Sequence, residues 1–228
     1  MNRIIKKAAV IGSGVMGSRI ACHFANIGVQ VLLFDIVPQT LTAKEEQQGL
    51  SLLDRLVRNR IGQEALQAAI ASTPSPLYRK SFSERIRVGN LEDDLALLKD
   101  CDWIIEAVTE RIAIKQQVFE KIEAHRKPGS LISTNTSGIP IASLTEGRSD
   151  DFKKHFCGTH FFNPPRYLQL LELIPSPHTS AEVIDFFKNW GEKYLGKVVV
   201  PCNDTPAFIA NRIGVYSIQA LFHLIGEL

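Results

Sequence analysis

Ala8-Ala9-Val10-Ile11-Gly12-Ser13-Gly14-Val15-Met16-Gly17 sets three glycines in a G-x-G-x-x-G spacing directly behind a short apolar run. Such a run, closed by glycine, fits a buried strand. Beyond it Val15, Met16, Ile20, Ala21, Phe24 and Ala25 recur at helical spacing, and Gly28 stands where a helix ends. A second apolar run covers 29–34 and closes on Asp35. Residues 8–35 therefore read strand, helix, strand. In such a unit the first glycine permits a tight turn, the second lets backbone approach a pyrophosphate, and the third allows close helix–strand packing. Unpaired amides at the helix N-terminus then meet phosphate oxygens. Gly12, Gly14, Val15, Met16 and Gly17 are the residues expected to bind the cofactor. Asp35 lies near the ~20-residue offset at which a carboxylate meets a ribose. It would accept hydrogen bonds from ribose hydroxyls and repel a 2′-phosphate, so NAD is expected over NADP. FAD or S-adenosylmethionine also suits the loop taken alone.

The same alternation continues downstream. Residues 38–85 read as a helical excursion, with Leu52, Leu53, Leu56 and Val57, then Leu66, Ala69 and Ile70, on helical faces. Ser72-Thr73-Pro74-Ser75-Pro76 breaks it. Strands are expected over 86–88, 103–108 and 130–134, and helices over 91–99 and 112–125. Repeated βα units imply an α/β, Rossmann-like doubly wound sheet, mainly parallel and covered on both faces. Near residue 155 the pattern changes. Strands over 155–162 and 168–174 are joined by too few residues for a helical crossover, so they must pair antiparallel. A helix over 182–194, a strand over 197–200 and a helix opened by Thr205-Pro206 complete the order.

That last helix carries Phe208, Ile209, Ile213, Val215, Tyr216, Ile218, Leu221, Phe222, Leu224 and Ile225. A helix apolar nearly all round needs burial. The expectation is a nucleotide-binding domain over 1–202 and, over 203–228, the first helix of a truncated helical domain.

A formal charge of +2 in 228 residues leaves no electrostatic footprint for nucleic acid or an anionic membrane. No run reaches the ~18 apolar residues of a membrane span. Cys22, Cys101, Cys157 and Cys202 lack metal-like or disulfide-framework spacing. They read as buried thiols of a reducing compartment, and the N-terminus lacks the apolar core of a signal peptide. A cytoplasmic location is expected.

The chemistry is carried by Gly158-Thr159-His160-Phe161-Phe162-Asn163-Pro164-Pro165 and by Glu172 within Leu170-Leu171-Glu172-Leu173. A hairpin centred on Arg166 sets His160 opposite Glu172, with Cβ atoms ~4.5–5.5 Å apart. The carboxylate would fix the imidazole tautomer, and a base so oriented can take an alcohol proton as hydride leaves the same carbon. A structural ion pair bracing the hairpin is the alternative. Glu172 interrupts an apolar run and needs a partner in either case. The other histidines read as structural or surface residues with no carboxylate similarly placed.

These segments resemble the L-3-hydroxyacyl-CoA dehydrogenase family. Glu106-Ala107-Val108-Thr109-Glu110 with Lys115, Ser133-Thr134-Asn135-Thr136-Ser137, and Pro206-Ala207-Phe208-Ile209-Ala210-Asn211-Arg212 extend the likeness across the chain. It is similar above all to the dehydrogenase part of bacterial multifunctional β-oxidation proteins, in which an enoyl-CoA hydratase part follows. The resemblance implies NAD-dependent oxidation of a 3-hydroxyacyl-CoA, with His160 as general base and Glu172 as its orienting partner. It implies that Ser137 and Asn211 contact substrate or hold the catalytic arrangement. Glu110, Lys115 and Asn163 would line the NAD site, and homo-oligomers would form through the helical domain. Pro165 and Gln169 depart from the family's usual residues. Arg55, Arg58 and Arg60 could meet CoA phosphates, though a solvated helical face suits them better. Two other readings compete: a non-catalytic NAD or acyl-CoA binder, and a hydroxy-acid dehydrogenase using a lysine base.

Overall fold

In the computed structural model, which describes residues 3–226, strand β1 (Lys7–Ile11) runs into the glycine turn and helix α1 (Val15–Asn26). Gly12 takes φ +96°, a conformation closed to most side chains, and its amide bonds Phe34 O at 2.7 Å. Strand β2 (Gln30–Asp35) follows, parallel to β1. The excursion holds three helices, α2 (Ala43–Gln47), α3 (Arg55–Arg58) and α4 (Arg60–Ala71), then a 3-10 turn at Lys80–Arg85. Leu52 and Leu53 fall in a turn outside these helices and stay exposed.

Strands β3 (Ile86–Asn90), β4 (Trp103–Glu106), β5 (Leu131–Thr134) and β6 (Phe156–Phe161) join β1 and β2 in parallel. Strand β7 (Leu170–Pro175) pairs antiparallel with β6, and β8 (Val198–Pro201) lies parallel to β7. The order β3-β2-β1-β4-β5-β6-β7-β8 reverses direction at β1. Doubly wound sheets bind ligands in the crevice at such a reversal, beyond the carboxyl ends of the strands.

Period-2 alternation divides the core between the faces. On β1, Ala8 and Val10 face a cluster with Phe24, Trp103, Phe187 and Trp190, drawing in α1, α4 and α7 (Ala181–Lys193). Ala9 and Ile11 face the other side, with Phe119 of α5 (Ile112–His125) and Phe152 of α6 (Asp150–Lys154). All four cysteines are free and buried. Burial pushes the thiols of Cys22 and Cys101 up to about 12. Among the described residues, no helix is long and apolar enough to cross a membrane.

Two expectations need correction. The expected helix over 91–99 is a short turn followed by a 3-10 segment, Leu95–Asp100. The Asn90 side chain accepts from the amides of Glu92 and Asp93, at 3.0 and 2.8 Å, while Asp94 Oδ2 accepts from Asn90 N. Local side-chain bonds of this kind displace an α-helical start. Nor does Thr205-Pro206 open the final helix. Asp204 takes the amides of Ile141 and Ala142, Ala207 and Phe208 adopt φ +64° and +50°, and α8 (Ala210–Gly226) begins only beyond them. Phe208 is thereby turned into the core, 2% exposed, while no residue of α8 is buried.

His23 on α1 is 3% exposed, its Nε2 bonded to Leu195 O at 3.1 Å and its Nδ1 without a partner among the described residues. Burial first, then the charge of Lys197, lowers its pKa from 6.5 to about 4, outweighing the bond to Leu195. The unfolded chain takes up this proton below pH 6.5 and the folded chain only near 4. Neutral His23 therefore supports the fold fully above pH 6.5, and that support fades as pH falls toward 4. The expected loss is roughly 3 kcal/mol, at ~1.36 kcal/mol per pKa unit. Urea unfolding at pH 7 and pH 4 measures it, and a His23→Asn protein losing as much stability as wild type would acquit His23.

Candidate functional site

At the carboxyl end of β1 the glycine loop meets Asp35, whose Oδ2 accepts from Ser13 N at 2.6 Å and Ser13 Oγ at 2.5 Å. Oδ1 accepts from Ile36 N at 2.7 Å. A Cβ on Gly17 would lie 1.8 Å from Gly12 O, so only glycine lets α1 sit this close to the turn. At exposed Gly14, by contrast, a Cβ would meet nothing within 4 Å. Val15 is also exposed and Met16 half-buried. A cavity of about 320 Å³ opens between Gly12, Gly14, Asp35, Leu91, Ala107 and Val108. Backbone bare at Gly14, free amides at the start of α1, and a carboxylate at the cavity wall suit a dinucleotide's pyrophosphate and ribose.

The hairpin places His160 directly opposite Glu172. His160 Nδ1 lies 2.7 Å from Glu172 Oε2, with His160 5% and Glu172 1% exposed. The other oxygen, Oε1, accepts from the amides of Ile209 and Ala210, at 3.1 and 2.8 Å, where α8 begins. A carboxylate that only accepts takes the Nδ1 proton, so in the neutral ring the lone pair lies on Nε2. The rings of Phe162 and Phe208 flank the imidazole, with centroids 4.4 and 5.9 Å away.

A second set of bonds joins the remaining candidates. Glu110 accepts from the hydroxyl of Thr136 and from Ser137 N, at 2.8 Å for the latter, and pairs with Lys115 at 3.2 Å. Burial alone would raise the Glu110 carboxyl, but these three partners outweigh it and hold it below its ordinary value. Asn211 Nδ2 donates to Ser137 O at 2.9 Å, so the start of α8 is tied to the loop after β5. Lys115 is 1% exposed, its ammonium 2.8 Å from Oε1 and 3.0 Å from Oε2 of fully buried Glu106. Burial pushes the Glu106 carboxyl up, against Lys115, Thr134 and Val108 N, which favour its charge. Asn163 is exposed and accepts from Arg19 at 2.9 Å.

Sequence reading attached no role to Glu106, Asn135 or Arg19. Asn135 Oδ1 accepts from Phe161 N at 2.9 Å, bracing the strand beside His160. A carboxylate closing the apolar strand β4, with a lysine nine residues on, was the available signal for Glu106. The three arginines weighed for CoA phosphates are engaged: Arg55 with Asp94, Arg58 with Asp93 and Glu92, and Arg60 with Glu45. Among the other histidines, His155 does have a carboxylate, Asp151 at 3.3 Å. That pair sits before the amino end of β6, because the one-turn helix α6 brings i and i+4 together.

The family model described as "3-hydroxyacyl-CoA dehydrogenase, NAD binding domain" matches residues 7–205. The chain is 52% identical over 218 residues to a "Probable 3-hydroxyacyl-CoA dehydrogenase" of Bacillus subtilis, covering 96% of this chain and 28% of that protein. It is 42% identical over 219 residues to a "Putative fatty acid oxidation complex trifunctional enzyme" of Rickettsia felis, covering 96% of this chain and 28% of that one. The chain thus spans little more than a quarter of the length of both relatives. A solved (S)-3-hydroxybutyryl-CoA dehydrogenase from Ralstonia eutropha superposes with a TM-score of 0.73 at 29% identity, over 98% of this chain and 72% of that one.

Proposed function

The chain belongs to the 3-hydroxyacyl-CoA dehydrogenase family, as its NAD-binding domain, and from that membership we propose NAD-dependent oxidation of an L-3-hydroxyacyl-CoA to the 3-ketoacyl-CoA in fatty-acid β-oxidation. The single observation that carries the reading is the contact between His160 Nδ1 and Glu172 Oε2, 2.7 Å, in a strand pair beside the glycine loop's edge of the sheet. Nδ1 is committed to the carboxylate, so Nε2 takes the proton of the substrate's 3-hydroxyl as general base. The nicotinamide, when bound, accepts the hydride from C3. Ser137 and Asn211 orient the substrate, Ser137 through its exposed hydroxyl and Asn211 by holding the Ser137 backbone. Gly12, Gly14, Val15, Met16, Gly17 and Asp35 hold the dinucleotide, with Asn163 lining its far end. Glu110 and Lys115 act on the same site by fixing the loop that carries Ser137.

Residues 1–202 form the nucleotide-binding unit in this reading, and residues 203–228 open a helical one. The apolar exposed face of α8 suits burial in that helical unit and in a homo-oligomer formed through it. The Rickettsia relative's name as a trifunctional enzyme supports fusion to further catalytic parts, and four buried free thiols support a cytoplasmic setting.

Acetoacetyl-CoA-dependent oxidation of NADH, followed at 340 nm for residues 1–228 and for the protein carrying the helical unit, tests the activity. Absence of turnover in both would sink it. In the same assay Asp35→Ala is expected to shrink the preference for NADH over NADPH by at least ~10-fold, since two ribose bonds at ~1 kcal/mol each are lost. An unchanged ratio would take Asp35 off the ribose.

A further inference from the structure

Lys197 begins the stretch expected as a strand over 197–200. In the structure it is 5% exposed. Lysines are almost never this buried unless paired, yet among the described residues no carboxylate lies within ion-pair distance of it. Its ammonium donates instead to two main-chain carbonyls, those of Pro165 and Leu168, the latter at 2.6 Å. It also lies 5.7 Å from the centre of the Phe161 ring. Those carbonyls lie within the connection between β6 and β7. The connection is closed within itself by Pro164 O, which takes the amides of Tyr167 and Leu168 at 2.9 and 3.0 Å. It is joined to the start of β8 by Val198 N bonding Gln169 O at 2.8 Å.

Burying an ammonium without a counter-ion is costly, and an apolar side chain of the same length would fill the space at less cost. What only the cation supplies is a pair of charge-assisted bonds that fix where the connection lies. We propose that Lys197 is a positioning residue for the acid–base hairpin, its buried ammonium fixing the connection that carries Asn163 between His160 and Glu172. This deepens, and rests on, the reading of His160 and Glu172 as the acid–base pair. Two other basic side chains face the same region. Arg166 turns away to the carbonyls of Ser75 and Leu77, at 2.7 and 2.9 Å, and His23 on α1 is held neutral above pH 4. Burial lowers the Lys197 pKa from 10.5 to about 8, so the clamp loses its charge within a reachable pH range.

The test is a pH titration from 6.5 to 9.5 of the backbone amide signals of Tyr167 and Leu168 in the 15N-labelled chain. Both should titrate together near pH 8 in wild type and in His23→Asn, and stay flat in Lys197→Met. In the acetoacetyl-CoA assay Lys197→Met should lower kcat at least ~10-fold, with KM for NADH changed less than ~3-fold, as small misplacement of a reacting group does. Its kcat profile should also lack the wild-type alkaline limb near pH 8. Amides that do not titrate in wild type, or still titrate in Lys197→Met, overturn the proposal. So does a kcat loss with an unchanged pH profile. Should Lys197→Met not fold, Lys197→Gln serves the same arms, its amide holding one carbonyl without a charge to titrate. A wild-type protein inert toward acetoacetyl-CoA would instead sink the dehydrogenase reading, and the amide titration would still decide whether Lys197 clamps the connection.

Discussion

His160→Ala is expected to lower turnover at least ~10²-fold while NADH affinity stays within a few-fold, the lower bound for losing a positioned general base. The geometry gives both halves of that result. Nδ1 is held by Glu172 Oε2 at 2.7 Å, so the ring presents Nε2 in one tautomer and one orientation. Glu172 does not replace it, because its second oxygen is spent on the amides of Ile209 and Ala210. The sites proposed for the nucleotide's phosphates and adenosine ribose, by contrast, are the loop after β1 and Asp35, which the substitution leaves untouched. Steady-state acetoacetyl-CoA reduction gives the first number, and quenching of protein fluorescence by NADH gives the second. Near-normal turnover would remove the imidazole from the chemistry. A parallel collapse of NADH binding would mean that the ring is a packing element, seated between Phe162 and Phe208.

The second large effect separates two glycines that a motif treats alike. Gly17→Ala drives a methyl to 1.8 Å from the carbonyl oxygen of Gly12, a backbone atom that cannot swing aside. Helix α1 must lift from the turn, at an overpacking cost of about 3 kcal/mol or more, which lowers Tm by roughly 6–12 °C for a chain this size. The amides aimed at phosphate move with the helix, so nucleotide affinity falls with stability. Gly14→Ala meets nothing within 4 Å and its φ of −53° suits alanine, so Tm should stay within ~2 °C. The methyl nonetheless stands where a pyrophosphate would approach, and NADH affinity should fall at least ~10-fold, about 1.4 kcal/mol. Calorimetry and NADH titration on the two variants decide the matter. A Gly14→Ala protein with normal affinity would move the phosphates off this loop.

The contrast between those glycines also marks what the amino-acid order could disclose. Spacing alone placed the turn, the parallel units and the pairing of 160 with 172, since a hairpin's register follows from its length once the loop is known to be short. It could not place the Lys115 ammonium, because spacing does not say which side of α5 meets the sheet. Only the fold shows that this position on α5 faces the interior end of β4. Residues 91–99 failed for a different reason. The apolar spacing there is helical, but one asparagine at residue 90 takes the amides a helix would need. Thr205-Pro206 carries a sound start signal as well. It is overridden by Asp204, which is drawn to Ile141 and Ala142, a contact more than sixty residues away in the chain and invisible to any local rule. The short helix α6, begun by Ser149 capping Phe152 N, has too few turns for a periodic signal.

The carboxylate of Glu172 is gripped at both oxygens, by a ring on one side and by the first turn of a seventeen-residue helix on the other. A side chain held that way behaves as a rigid strut, and it transmits displacement in both directions. Swinging the helix drags the imidazole's bearing with it, and reorienting the imidazole pulls on the helix. The lever arm is long: at ~1.5 Å per residue, α8 extends about 25 Å from that anchor.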